Sequence, residues 1–256
     1  MENHFVFPAV GQCIYCGTTE PDGIRFGHEH IIPEGLAGLL VLKEASCRRC
    51  EAVINVFETR VLRETFAAAR THLNIRSKKR RLRPKTLPLG FGRPENGNFT
   101  WREIDLAAHP FTYFLPRFEL PELLGGRPAP DGTYLASGIT MYMEQGGLEK
   151  LAASGANGAY TPFRPDDIGR FVAKVSHAFA VARLGLGAFE PLLTDFIRGR
   201  GDHGARLVGC EDGRGDYQAG YHRLGLEKRD GLLIARLHLF DAIAEMPGYV
   251  AVVGRV

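Results

Sequence analysis

Four of the five cysteines stand in two pairs with the same C-x-x-C spacing, Cys13/Cys16 and Cys47/Cys50. Two such knuckles can present four thiolates to one tetrahedral zinc ion, which is a closed structural site. The N-terminal residues lack a basic start followed by an apolar run, so metal ligation is favoured over disulfides. Cys210 stands alone after a strand-like segment and is predicted to be a small core residue.

A second group of reactive side chains lies between the knuckles, in the segment GHEHIIPEGLAG at 27–38. If this segment begins as a strand, Glu29 and His30 point to opposite faces. Hydrolysis of a phosphodiester needs such a division of roles, because a base must deprotonate water while a divalent cation stabilises the developing charge. His28 shares the side of His30 and is the rival base or an additional ligand.

The order and spacing of these motifs resemble those of the HNH, or ββα-metal, endonucleases, in the subgroup with two zinc-binding knuckles. The resemblance runs from Cys13-Ile14-Tyr15-Cys16-Gly17 through Glu29-His30-Ile31-Ile32-Pro33 to Ser46-Cys47-Arg48-Arg49-Cys50 and the helix that follows. It covers 50–60 residues, less than a quarter of the chain. It implies a zinc-stapled fold and a metal-dependent nuclease activity.

The resemblance also implies roles for individual residues. His30 aligns with the general base, and Glu29 takes the place of the acidic ligand of a catalytic Mg²⁺ or Mn²⁺ ion. The second ligand is expected directly after the last cysteine, where this chain has Glu51, with Asn55 one helical turn later as the alternative. The middle asparagine of the family has no counterpart in residues 31–46, so another group must brace the loop that holds the base.

A basic run follows, RSKKRRLRPK at 76–85, with seven basic residues in ten. Such a run can neutralise backbone phosphates without reading base sequence. The predicted substrate-binding residues are Lys78, Lys79, Arg80, Arg81 and Arg83. DNA is the expected partner and RNA the alternative substrate. A non-catalytic, zinc-dependent nucleic-acid-binding regulator is the competing interpretation.

Apolar spacing predicts the elements that position these residues. A helix is expected over 51–70, and a Gly-, Pro- and Asn-rich stretch at 90–98 predicts a linker. The predicted organisation is a zinc-bound nuclease module at 1–75, a basic segment and linker at 76–98, and an α+β domain at 99–256. The fold class is therefore α+β, with a recognition or regulatory role expected for the larger domain.

In that larger domain the clearest element is a helix over 166–184, which bears one apolar stripe and ends at glycines. A shorter helix is predicted at 188–198. Strands are predicted at 99–105, 111–118, 134–143, 206–210, 217–224, 232–239 and 249–253. Structural roles are predicted for Asp166, Asp167, His177, His222 and His238.

The bulk composition limits the remaining functions. Residues 1–90 hold 14 Lys and Arg against 9 Asp and Glu, whereas 18 face 20 in residues 91–256. A polyanion is therefore expected to meet the N-terminal third. No apolar run reaches the roughly 18 residues needed to cross a bilayer, so we expect a cytoplasmic protein without membrane contact. The oligomeric state is left open; if copies associate, the C-terminal domain is where they are expected to meet.

Overall fold

The architecture comes from a computed structural model that describes residues 4–20, 25–75, 84–92, 100–129, 136–156, 164–201, 204–211, 222–241 and 248–256. The predicted phosphate-binding residues Lys78, Lys79, Arg80, Arg81 and Arg83 lie outside these ranges. Most of the predicted linker lies outside them as well.

The N-terminal part is built on a ββα unit. Strand β2 (Gly27–His30) pairs antiparallel with strand β3 (Leu40–Ser46), and helix α1 (Arg48–Arg60) follows directly. A short strand, β1 (Phe5–Phe7), runs parallel to the other edge of β3 and completes a three-stranded sheet. The element order is the one that the resemblance implies.

The helix predicted over 51–70 forms, and it contains a local widening. A π-helical turn (Val61–Thr65) joins α1 to helix α2 (Ala67–His72), and the Phe66 amide bonds to the Val61 carbonyl at 2.9 Å. The buried residues Phe57 and Val61 are four apart, but the next large buried side chain, Phe66, comes five residues later. The extra residue in the turn keeps that side chain in the core.

The remaining elements form two hairpins, a five-stranded sheet and several helices. The hairpins pair β4 (Thr86–Phe91) with β5 (Thr100–Asp105), and β6 (Thr112–Phe118) with β7 (Ala136–Met143). The sheet contains β8 (Glu190–Pro191), β9 (Val208–Cys210), β10 (His222–Arg229), β11 (Leu232–Leu239) and β12 (Tyr249–Arg255). Its order is β10-β11-β12-β8, with β9 also paired to β12. The helices are α3 (Gly147–Ser154), α4 (Pro165–Leu184), α5 (Thr194–Ile197) and α6 (Gly204–Leu207).

Helix α4 connects the two parts of the protein. It starts at Pro165, a residue suited to a first helical turn, and Gly185 follows its end with a positive φ. Residues from 167 to 181 along it are all buried except Arg170, because the helix packs against β11 and β12 on one side and against α1 on the other. One apolar core therefore runs from the ββα unit into the C-terminal sheet.

Some predicted elements of the C-terminal part differ in extent from the observed ones. The strand predicted at 217–224 continues to Arg229 as β10, and its first five residues lie outside the described ranges. The helix predicted at 188–198 is only α5, because Glu190 and Pro191 pair with the end of β12 instead. The strand predicted at 206–210 begins at Val208, after α6. The helix predicted at 166–184 and the strand at 232–239 are confirmed.

The predicted α+β class is confirmed, with a cysteine cluster near the N-terminus and a larger region after it. In the part of the chain that the structure describes, no helix combines the length and the apolar character that crossing a bilayer requires.

Candidate metal centre

The four paired cysteines converge on one point. Their sulfur atoms all lie within 4.8 Å of one another, and the Cys16 and Cys47 sulfurs are 3.7 Å apart. That separation is far longer than a disulfide bond. It matches the edge of about 3.8 Å that follows for a tetrahedron with Zn–S bonds of about 2.3 Å. The cluster could therefore hold a zinc ion.

Local backbone structure aims these sulfurs. In the first knuckle the Gly17 amide bonds to the Cys13 carbonyl at 2.8 Å, and Gly17 has a φ of 73°, which a glycine adopts without strain. In the second, Cys47 is extended and caps α1, so that Cys50 falls in the first helical turn. The Ile14 amide bonds to the Ala45 carbonyl at 2.8 Å and ties the two knuckles together.

The closeness of the four thiol groups favours binding of a cation among them. A hydrogen bond from Cys50 is the main reason that the pKa of Cys13 falls to about 4. The same hydrogen bond, together with burial, raises the pKa of Cys50. One thiolate thus opposes ionisation of its neighbour, and four thiolates this close would be stable only around a positive ion.

Strand β2 separates Glu29 and His30 as the sequence predicts. Glu29 is buried, whereas His30 is half-buried, with its ring 5.6 Å edge-on from the ring of His4. His28 is exposed and accepts a hydrogen bond from the Glu44 amide at 3.3 Å. That bond lies at an irregularity of the β2–β3 ladder, where Glu44 has a φ of 48°.

The predicted second ligands lie on α1, Glu51 in its first turn and Asn55 one turn later. Glu51 accepts a hydrogen bond from the Ser46 hydroxyl at 2.8 Å and lies over Gly27, where a Cβ atom would be 1.6 Å from its carboxylate. Glycine is thus required at position 27 for this contact. Asn55 is exposed on α1. Among the described His, Cys, Asp and Glu residues, the cysteine cluster is the one group of three or more that converges.

The partner of Glu29 is a lysine from the other part of the chain. The ammonium of Lys174, on α4, lies 2.5 Å from the Glu29 carboxylate and 2.7 Å from the carboxylate of Glu58 on α1. It also donates to the His30 carbonyl at 2.5 Å. The Lys174 side chain is 1% exposed. We call Glu29, Glu58 and Lys174 the carboxylate–lysine cluster.

Burial and charge compete within this cluster. Burial opposes the charged form of Lys174, but the two carboxylates outweigh it and raise the lysine's pKa. Burial is also the main reason that the pKa of Glu29 is raised, against the attraction of Lys174. The nearby Tyr15 has its pKa raised by burial and then by the two carboxylates. The lysine is therefore held charged, while one ammonium faces two acids.

Sequence reasoning missed Glu58 and Lys174. Each had a usable signal in the sequence. Glu58 lies four residues after Ile54 and three before Val61, which places it on the edge of the buried face of α1. Lys174 is a charged residue in the middle of the predicted helix, next to the apolar stripe positions Val172 and Val175, both of which are buried. Their meeting with Glu29 depends on contacts more than a hundred residues apart, which no local pattern predicts.

Side chains from distant elements brace the loop between β2 and β3, a segment where the sequence has no asparagine to do so. Arg70, on α2, donates to the Gly35 carbonyl at 2.7 Å. His222, at the start of β10, contacts the Leu36 carbonyl through Nε2 at 2.5 Å, while Lys174 holds the His30 carbonyl. Two of these contacts hold carbonyls of the loop, and the third holds the last carbonyl of β2, directly before it.

The brace from His222 predicts a pH dependence of stability. Burial lowers the pKa of His222 to about 4, and its Nδ1 accepts the Phe240 amide at 3.1 Å, so the folded state holds the neutral ring. The ring of the unfolded chain titrates near 6.5. The stabilisation that neutral His222 gives the folded state is therefore complete above that pH, and at most about 3 kcal/mol of it is lost as the pH falls toward 4. His222→Gln should give a flatter dependence of unfolding free energy in urea between pH 7 and 4.5. His28→Gln should keep the wild-type slope, and an unchanged slope in His222→Gln would contradict the assignment.

The residues predicted to be structural have structural partners. Asp167 pairs with Arg60 at 3.4 Å, and His177 contacts the Ile14 carbonyl through Nε2 at 2.7 Å. Cys210 is buried, and its sulfur accepts the Phe118 amide at 3.4 Å. His238 lies 3.9 Å from Asp241. Asp166 is in the first turn of α4.

Comparison with protein-family models, with curated proteins and with solved structures found no match for this chain.

Proposed function

We propose that this protein is an endonuclease that hydrolyses phosphodiester bonds in DNA through its ββα unit, with His30 as the general base. The observation that carries the proposal is the placement of Glu29 and His30 on one strand. The Glu29 carboxylate is buried at a position that a cation can occupy, and the His30 imidazole is half-buried on the other face of the strand. The cysteine cluster supports the proposal because it anchors both β3 and α1, the elements that flank this strand.

The proposed chemistry needs a divalent cation, and the oxygen atoms around Lys174 are candidate ligands for it. Two carboxylates and a backbone carbonyl surround one point, and hard cations such as Mg²⁺ and Mn²⁺ prefer oxygen ligands. Glu29 and Glu58 would hold the ion, in place of the pairing of Glu29 with Glu51 or Asn55 expected from sequence. A bound divalent cation supplies charge stabilisation to the phosphoryl and leaving oxygens.

In this proposal, the protein's own side chains supply the general base and hold the backbone near it. His30 accepts the proton of the attacking water, a role that histidine suits near neutral pH. The loop after β2 is kept in place by Arg70 and His222.

The competing function is a zinc-dependent nucleic-acid-binding regulator without catalysis. A specific observation favours it: the space between Glu29 and Glu58 is filled by the Lys174 ammonium. Zinc-loaded protein should be incubated with supercoiled plasmid in Mg²⁺ or Mn²⁺, with excess EDTA as the control and a single-stranded RNA in parallel. The nuclease predicts nicked and linear DNA, the regulator predicts binding without cleavage in either metal, and cleavage of RNA alone would replace DNA as the substrate.

A basic cleft beside the cysteine cluster is a candidate surface for backbone phosphates. It has a volume of about 200 Å³ and is lined by Cys16, Thr18, Cys47, Arg49, Cys50, Val53, Arg198 and Arg200. Arg200 is exposed, and the ion pair of Arg198 with Asp195 is long, at 3.8 Å. Both arginines follow α5, so the C-terminal part contributes to this surface.

We expect Arg198→Ala/Arg200→Ala to weaken DNA binding uniformly across sequences. Each lost phosphate contact should reduce the slope of log affinity against log salt by about 1. Fluorescence anisotropy over 50–200 mM salt would measure this. Arg127→Ala removes an exposed arginine that pairs with Glu119 and should leave the slope unchanged. A double variant with the wild-type slope would contradict phosphate binding in the cleft.

A further inference from the structure

We infer that Lys174 is a built-in cation of the ββα unit, which competes with a divalent metal for Glu29 and Glu58. The inference rests on the proposed function only for the kind of metal concerned. It assigns to a residue of the C-terminal part a direct effect on metal affinity in the N-terminal unit.

The geometry places the ammonium where a metal would be. Four oxygens face its nitrogen: the Glu29 carboxylate at 2.5 Å, the Glu58 carboxylate at 2.7 Å, and the carbonyls of His30 at 2.5 Å and Ile31 at 3.4 Å. Strand, helix and loop each supply donors. Because these are direct contacts, an ion ligated by both carboxylates and the ammonium cannot occupy the same position.

Charge favours an exchange between the two cations. With Lys174 in place, the cluster has two carboxylates and one ammonium, so one negative charge is left over. Without the ammonium, the two carboxylates match the charge of a divalent ion. Buried carboxylates without a partner are strongly destabilising, and so a vacated cluster should take up a metal readily.

The setting of Lys174 couples this exchange to the rest of the fold. The residue lies in the middle of α4, between the fully buried Phe171 and Ala178, on a helix that also packs against β11 and β12. A metal can enter only when the lysine side chain leaves a site where it is 1% exposed. Any event that shifts α4 therefore changes the metal affinity of the ββα unit.

The test compares Mn²⁺ binding to three zinc-loaded, full-length proteins by calorimetric titration and thermal melting. Lys174→Met keeps the length of the side chain and removes its charge. It should bind a single Mn²⁺ ion at least about tenfold more tightly than wild type does. Mn²⁺ should also raise its melting temperature by more than it raises that of wild type. Lys174→Met/Glu29→Gln, which lacks one carboxylate ligand, should lose both effects.

Equal Mn²⁺ affinity in wild type and Lys174→Met would overturn the inference. A Lys174→Met/Glu29→Gln protein that still binds Mn²⁺ more tightly than wild type would overturn it as well. If Lys174→Met does not fold without metal, Mn²⁺ should restore its cooperative unfolding, because an ion that binds only the folded state stabilises it. Lys174→Met/Glu29→Gln should not respond in this way, and a Lys174→Met protein that Mn²⁺ does not rescue would also overturn the inference. Tight Mn²⁺ binding without DNA cleavage would contradict the proposed nuclease while leaving the competition intact.

Discussion

Removal of zinc should unfold the ββα unit. Structural zinc contributes roughly 10–16 kcal/mol to the folding of small zinc-dependent units, and here the cysteine cluster joins the first knuckle, the end of β3 and the start of α1. We expect one zinc per chain by elemental analysis. Chelation, or Cys47→Ser, should abolish hydrogen-exchange protection over residues 25–60, with a smaller loss in the β10–β11 hairpin.

Cys210 provides the matched control for this experiment. It is a buried cysteine that lies outside the cluster and accepts a backbone amide from Phe118. Cys210→Ala should therefore keep one zinc per chain and protection of the ββα unit. Full protection after chelation, or a Cys47→Ser protein with wild-type zinc content and stability, would show that the cysteines are not a metal site.

Replacement of Glu29 by glutamine should abolish activity without harming the fold. Burial raises the pKa of Glu29, so its ionised form opposes folding above that pKa, and an amide of the same shape removes that cost. Lys174 then faces Glu58 as a balanced pair. We expect the free energy of unfolding at pH 7 to stay within about 1 kcal/mol of wild type. If the protein is the proposed nuclease, DNA cleavage should fall by roughly 100-fold or more, because a proposed ligand of the divalent cation is lost.

Two further variants separate the candidate ligands on α1. Glu58→Gln should reduce cleavage as Glu29→Gln does, whereas Asn55→Ala changes an exposed side chain and should leave the rate unchanged. Loss of activity in Asn55→Ala with normal activity in Glu58→Gln would restore the ligand set expected from sequence. Chemical denaturation of each variant distinguishes a lost ligand from a lost fold.

The features that sequence predicts well here are local ones. The spacing of Cys13 with Cys16 and of Cys47 with Cys50 fixes each knuckle within a few residues. The apolar stripe of α4 likewise depends on neighbours three and four positions apart. Such patterns survive folding because the backbone geometry alone brings these side chains together.

The features that sequence did not predict depend on long-range packing. The ammonium between Glu29 and Glu58 comes from Lys174, and the loop after β2 is braced by Arg70 and His222 rather than by a nearby asparagine. The π turn at Val61–Thr65 and the pairing of Glu190 and Pro191 with β12 are also imposed by distant partners. Local propensity carries no information about which residue fills a space that other elements create.

The most direct test of the account is the rate of plasmid cleavage by His30→Ala under single-turnover conditions in Mn²⁺. General-base catalysis is worth about 10²–10⁴ in rate, so the account predicts a fall of at least 100-fold with wild-type zinc content and stability. His28→Ala, which changes the exposed histidine on the same strand, should cleave at the wild-type rate. Equal rates for wild type and His30→Ala would contradict the account.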